Sequence, residues 1–232
     1  MGGLPLLLVP LLVAVAVVAG IVYAYYAKQR RRDELAELAA GHGLEYSPVD
    51  TRGLDQLPFH LFSLGDGRGC ENVLTGTWDG KPVTGADYWY YTESTDSKGN
   101  HQRNYHRFSV VLTDIALWLP AVRIEHESVL TRLGHHLGFG DIEFESEDFN
   151  RRFRVSSADR EFAFKLIDAR LMAWLLRTAG DHCYEVGGGQ VLAYTGKRAP
   201  PELTTVFLAS TAFVDHIPRL VWSEYGTKEA PR

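Results

Sequence analysis

The chain opens on an unbroken apolar run, since Leu4 to Ala27 is 24 residues without a charged side chain. As a helix rising ~1.5 Å per residue this run reaches about 36 Å, enough to cross a hydrocarbon core of about 30 Å. Pro5 and Pro10 fall in its first third. Pro10 either kinks the helix or occupies its first turn, and a start there still leaves about 27 Å. The pattern therefore predicts a transmembrane helix through Leu6, Val13, Gly20 and Tyr26. Leu35 and Leu38 continue it at helical spacing through Asp33 to Ala40, until Gly41-His42-Gly43 stops it. Residues 1–32 read as the anchor with its juxtamembrane segment, residues 33–226 as a soluble domain and residues 227–232 as a disordered tail.

Beyond the anchor the periodicity alternates between strand and helix. Residues 44–69 carry Pro48, Gly53, Pro58, Gly65, Gly67 and Gly69 and read as irregular, with one helical turn. Asn72 to Trp78 and Lys81 to Tyr91 are strand-like and flank Asp79-Gly80, the chemistry of a two-residue type I′ hairpin. Pro82 pushes its strand toward a sheet edge or a bulge. A third strand places His106, Phe108, Val110 and Leu112 on one face, and a further strand is expected at Val122 to Glu125, then a helix from Ser128 to Leu137 ending at Gly138.

Asp141 to Glu145 and Phe153 to Ser156 precede one long helix, capped by Ser156 or Ser157, with Ala163, Ile167, Leu171, Trp174, Leu175 and Thr178 on its stripe. Glu161 and Lys165 add an i,i+4 pair. His182 to Val186 and Gln190 to Tyr194 suggest a hairpin about Gly187-Gly188-Gly189, and a last helix runs from Pro200-Pro201 to Ile217, before Pro218. Strands interleaved with a few helices, without regular βαβ alternation, predict an α+β domain with a mainly antiparallel sheet packed with helices behind the N-terminal span.

Charge orients this arrangement. No charged side chain precedes Lys28, Arg30, Arg31 and Arg32, and basic flanks favour the cytoplasmic side, with Tyr23, Tyr25 and Tyr26 as an interfacial belt. A retained cell-membrane anchor is expected rather than a cleaved signal peptide, which would carry a positive region before a shorter apolar stretch. The N-terminus is then outside and the soluble domain cytoplasmic. Removing the four juxtamembrane positive charges from a net −5 leaves −9 for residues 33–232, which disfavours nucleic acid as a partner. Cys70 and Cys183 lack metal-ligand spacing and fit free thiols in a reducing compartment. Within the span Ala16, Gly20 and Ala24 recur at spacing four, a face on which two helices could close-pack into a homo-oligomer, though an Ala/Val-rich span produces the spacing by chance.

Asp141 to Val155 reads DIEFESEDFNRRFRV, and Ala158 to Leu176 reads ADREFAFKLIDARLMAWLL. Together these resemble a family of bacterial single-pass membrane proteins with a domain of unknown function, in which an FESxxFNxxFxV signature precedes a helix closing on a Met-x-x-Leu pattern. The resemblance covers residues 105–222, and the N-terminal span is typical of the family too. It implies the architecture and assigns no activity to Phe144, Glu145, Ser146, Phe149, Asn150, Phe153 or Val155.

The remaining chemistry has a structural reading beside each functional one. Alternation places Glu143, Glu145 and Glu147 on one strand face, a row for a divalent cation or acid–base pair, or a solvated face paired with Arg151, Arg152 and Arg154. Asn150, between Phe149 and Phe153, is expected to tie a turn to the backbone. Tyr88-Trp89-Tyr90-Tyr91 with Trp78 and Tyr105 forms either an aromatic platform or cross-strand packing. His106 reads as a core imidazole, the nine histidines show no metal motif, and the glycine triplet lacks the helix start of a phosphate loop. No cofactor is implied. The sequence thus leans away from an enzyme and toward a membrane-anchored cytoplasmic interaction or scaffolding module, whose partners are the lipid bilayer and an unspecified protein. The alternative is a small-ligand sensor or enzyme using an aromatic and acidic cleft.

Overall fold

The computed structural model describes residues 4–95, 99–126, 142–178, 180, 182–196 and 200–226, with side chains from Leu12 onward except at residues 200 and 201. Helix α1 (Leu4–His42) runs unbroken through Pro5 and Pro10 and on past the charge step at Lys28. Gly43, at φ 68°, ends it: the Gly43 and Leu44 amides donate back to the Ala40 and Ala39 carbonyls in a Schellman motif. The last turns of α1 are part of the domain, because Leu35 and Ala39 are buried in the main core and His42 stacks on Trp78 at 4.4 Å.

The sheet has six strands, β1 (Glu45–Val49), β2 (Gly67–Trp78), β3 (Lys81–Thr95), β4 (His101–His126), β5 (Phe153–Ser157) and β6 (Cys183–Thr195). Every pairing is antiparallel, in the order β1-β2-β3-β4 with β6 on the far side of β4; β5 pairs with the C-terminal end of β4. Asp79 and Gly80 both take positive φ, 47° and 74°, as a type I′ turn requires. One face of the sheet packs under α1, α2 (Glu147–Arg152), α3 (Arg160–Leu166), α4 (Ala169–Thr178), α5 (Pro200–His216) and α6 (Arg219–Tyr225). The other face carries Tyr88, Tyr90, Phe108, Val110, Leu192 and Tyr194 beneath two 3₁₀ turns, Leu54–Gln56 and Leu61–Ser63.

Several sequence expectations are corrected. Gly187-Gly188-Gly189 does not turn a hairpin: residues 183–195 are one strand, and the register against β4 shifts there with Gly188 at φ 57°. The shift reverses which residues face the helices, from Tyr184 and Val186 to Val191 and Ala193; β4 runs from Asp114 to Val122 where β6 runs only from Gln190 to Val186, so the bulge is in β4, opposite the triplet, and the sheet bends there. The strand expected at Val122 to Glu125 is the far end of β4. Pro82 sits in a strand paired on both sides, tolerated because pairing with β4 begins one residue later, at Val83. The single long helix is two, α3 capped by Asp159 rather than Ser156 or Ser157, and α4 opened by the Asp168 carboxylate, which accepts from the Leu171 amide at 2.8 Å. Residues 45–49 form a strand where irregular chain was expected. The helix expected from Ser128 to Leu137 and the tail 227–232 lie outside the described residues.

Candidate functional site

The bend at the glycine triplet opens a cleft of about 1000 Å³ on the sheet face away from the helices. Its floor comes from β4 and β6 (Ala121, Val122, Val186, Gly187 to Gly189), and its roof from the segment Asp55 to Ser63 with Leu57, Pro58, Phe59 and Phe62. Trp118, 42% exposed, stands over Gly188 with its ring 3.4 Å from where a Cβ would be. The lining is mostly apolar, with Arg68, Arg123, Ser156 and Glu185 as the polar members that matter chemically.

The roof is pinned at both ends. The Asp50 carboxylate accepts from the amides of Arg52, Gly53 and Leu54 at 2.8, 3.2 and 2.7 Å, starting the first 3₁₀ turn. Glu185, only 4% exposed on β6, accepts from the amides of His60 at 2.6 Å and Leu61 at 2.9 Å. The Tyr88 hydroxyl and Arg68 donate to the carbonyls of Leu61 and Phe62. Burial pushes the Glu185 carboxyl up to about 7, against the two amide donors and Arg123, with Glu125 reinforcing burial. Arg123 Nε lies 3.2 Å from a Glu125 oxygen, and Arg123 also donates to the Ser156 hydroxyl at 3.3 Å.

This cleft has the size and character of a small-molecule site, concave and apolar with a few fixed polar groups. Among the described residues no cluster of His, Cys, Asp and Glu is arranged to hold a metal ion. Both thiols are free, and burial raises their pKa, which suppresses the reactive thiolate form.

The residues singled out in the sequence lie elsewhere. Phe144, Phe149, Phe153 and Val155 are buried under the helices. Ser146 caps α2 by accepting from the Phe149 amide. The Asn150 side chain accepts from the Phe144 amide at 3.0 Å and donates to the Phe144 carbonyl at 2.7 Å, closing the loop before α2 on itself. Glu143 and Glu145 belong to no strand and Glu147 is in α2; all three are exposed, and none reaches the cleft or the aromatic meander. The expected acidic and aromatic cleft is therefore not assembled. Arg151 pairs with Asp148 and Arg152 donates to the Leu176 carbonyl, so neither serves the carboxylate row. The meander itself splits by alternation: Tyr88 and Tyr90 are buried, His106 stacks on Tyr90 with its pKa lowered by burial, and Trp89, Tyr91 and Tyr105 form a ladder on the opposite face. Glu185, Arg123 and Trp118 were missed, because the sequence signal for a hairpin at 187–189 hid the bend.

The basic cluster after the apolar run has partners in the domain. Arg31 forms a two-point pair with Asp87 of β3 at 2.6 and 3.0 Å, both side chains largely buried. The Asn72 amide donates to the same carboxylate at 2.9 Å and accepts from the Tyr46 hydroxyl at 2.9 Å. Lys28 pairs with Glu71 at 2.9 Å, and Arg30 pairs with Glu34 along the helix.

Fold and site together define an α+β domain behind an N-terminal apolar helix, with a cleft on the sheet face away from the helices. No family model and no curated protein sequence matches the chain. Among solved structures it is similar to the crystal structure of the mycobacterial trehalose monomycolate transport factor A, TtfA, with a TM-score of 0.57 at 12% sequence identity, covering 87% of this chain and 98% of that one. At this identity the likeness concerns the fold, an N-terminal apolar helix followed by a mainly antiparallel sheet and further helices.

Proposed function

We propose that this chain is a single-pass cell-membrane protein whose soluble domain, on the cytoplasmic side, is a non-enzymatic accessory module for transport of an amphiphilic lipid. The observation that carries this reading is the path of α1, which leaves the apolar run and enters the domain core with no linker, locked by Arg31 on Asp87 and by Leu35 and Ala39. Such a domain is held in a fixed pose at the membrane surface, which suits a part that presents one face to a membrane partner. The fold shared with a factor named for trehalose monomycolate transport supports the same role. Ala16, Gly20 and Ala24, all exposed on α1, supply a face for a second copy. Membership of the family carrying the FESxxFNxxFxV signature is part of the proposal.

The test is depletion in the native bacterium with lipid analysis of the two sides of the cell membrane. A lipid precursor should accumulate on the inner side. It should be cleared by the full chain and not by a chain with a flexible linker inserted after Lys28. Unchanged lipid distribution on depletion would refute the role.

The cleft favours a second reading, in which the domain itself binds an apolar small molecule or acyl chain between the Asp55–Ser63 roof and Trp118. Native mass spectrometry of the full chain purified from its own membranes should then retain a bound lipid, which Gly188→Trp would displace.

A further inference from the structure

The face of the sheet on which α1 docks has a continuation that the fold does not use. From the Asp87/Ser109 pair the β3–β4 ribbon carries four more rungs of directly opposed residues: Trp89/Arg107, Tyr91/Tyr105, Glu93/Arg103 and Thr95/His101. Residues two apart on a strand share a face, so these side chains lie on the face of Asp87, where Arg31 of α1 binds. Past Tyr91 no strand pairs with the ribbon among the described residues: β2 pairing ends at Gly67 with Tyr91, followed by the Asp66 carboxylate accepting from the Glu93 amide at 2.6 Å, and β6 pairing ends at Thr195 with Ser109.

The direction of this ribbon follows from the contacts of α1. Lys28 and Arg31 meet Glu71 and Asp87, themselves paired, whereas His42 meets Trp78 at the other end of β2. Moving from His42 back toward the apolar run is therefore the same direction as moving from Trp78 toward Gly67, and along β3 from Lys81 toward Thr95. The ribbon points at the bilayer. At about 3.3 Å per residue, Trp89 lies roughly 7 Å and Tyr91 roughly 13 Å beyond Asp87. At about 1.5 Å per residue, Tyr26 and Tyr23 lie roughly 8 and 12 Å beyond Arg31. Tyr23, Tyr25 and Tyr26 stay exposed, so helix and ribbon diverge and meet the membrane side by side.

The chemistry of the rungs is that of a bilayer interface. Trp89 and Tyr91 stack at 6.3 Å, Tyr105 is 46% exposed, and the guanidinium groups of Arg103 and Arg107 lie over the Tyr91 and Tyr105 rings at 4.6 and 5.5 Å. Gly67 and Gly69 on β2 lie flat against the Tyr91 and Trp89 rings, where a Cβ would collide with Tyr91. Trp and Tyr rings settle at headgroup depth, and guanidinium forks match phosphate. Glu93 binds Arg103 at 2.8 Å, so the surface carries one acid among its cations.

We infer that the Trp89–Tyr91–Tyr105 ladder, with Arg103 and Arg107, is a second membrane contact that seats on the phospholipid headgroups of the bilayer spanned by α1. It rests on the reading of α1 as a span, and it adds a two-point seat that fixes the tilt and rotation of the domain.

The test uses the full chain in nanodiscs of phosphatidylcholine and phosphatidylglycerol, with lipids brominated either near the headgroup or near the acyl terminus. The emission of Trp89 is taken as the difference between wild type and Trp89→Phe, and Tyr26→Trp reports on the helix. Trp89 should be quenched by shallow bromines and not by deep ones. Arg103→Ala with Arg107→Ala should lower that quenching by about half or more in anionic discs, since each basic residue near the surface contributes several-fold. Equal thermal melting of these variants and wild type excludes misfolding as the cause. Unquenched Trp89 beside a quenched Tyr26→Trp overturns the contact alone. Absence of quenching at both positions overturns the span, and the contact with it.

Discussion

Arg31 on α1 and Asp87 in the middle of the sheet are joined by two hydrogen bonds, with the Asp87 side chain only 1% exposed. A residue from the flank of the apolar run is thus part of the domain interior. Its positive charge is the counterion of a buried carboxylate. Removing one partner leaves the other buried and uncompensated. Arg31→Ala should therefore destabilise the domain by about 3–5 kcal/mol and expose residues 28–42 to amide exchange. Asp87→Asn should cost less, because its amide still accepts from Asn72. Thermal unfolding of the chain in nanodiscs measures both, and unchanged melting of Arg31→Ala would show the pair to be dispensable.

Glu185 gives stability a pH dependence with a definite sign. Its folded carboxyl is pushed up to about 7, above the ordinary value, so the folded state holds the proton more tightly than the unfolded one. Stability contributed by the protonated form is full below about pH 4.5 and declines as pH rises toward 7, by an amount on the order of 3 kcal/mol. Above that window the loss levels off. Urea unfolding between pH 4.5 and 8 should show this slope, and Glu185→Gln should flatten it. A Glu185→Gln chain with the wild-type slope would place the titration elsewhere.

Gly85 is the one position on β3 where α5 comes too close for a side chain, since a Cβ there would collide with the Phe207 ring. Phe207 in turn stacks on Trp78 at 4.9 Å and 12°. Gly85→Ala should cost about 1–3 kcal/mol by overpacking, and Gly85→Ala with Phe207→Leu should recover part of it, as double-mutant melting would show.

Asn150 closes its loop with two hydrogen bonds to one residue, Phe144. Asn150→Ala leaves both Phe144 backbone groups without this partner and should cost about 1–3 kcal/mol. Asn150→Asp keeps the acceptor and loses the donor, and should fall between the two in thermal unfolding.

The parts legible in the sequence are those set by local chemistry. Asp79-Gly80 fixed a turn, Gly43 fixed a helix end, and Pro200-Pro201 and Pro218 bounded α5. The cleft was not legible, because it depends on two non-local facts. Gly187 to Gly189 stay within one strand only because β4 continues alongside both halves of β6, its extra residues between Asp114 and Val122 forming the bulge. Glu185 has a role only because the amides of His60 and Leu61, more than 120 residues away in sequence, fold over it. The same limit applied to Ala163 to Thr178, where one apolar stripe spans two helices and the break at Ile167-Asp168 is marked by a single capping carboxylate.

The central claim is that one helix both crosses the bilayer and enters the domain core. Hydrogen exchange of the full chain in nanodiscs tests it most directly, read residue by residue from Leu12 to His42. The account predicts continuous protection, with no fast-exchanging break between Ala27 and Arg32. Exchange at the rate of unfolded chain anywhere in that interval would make the span and the domain helix separate elements and contradict it.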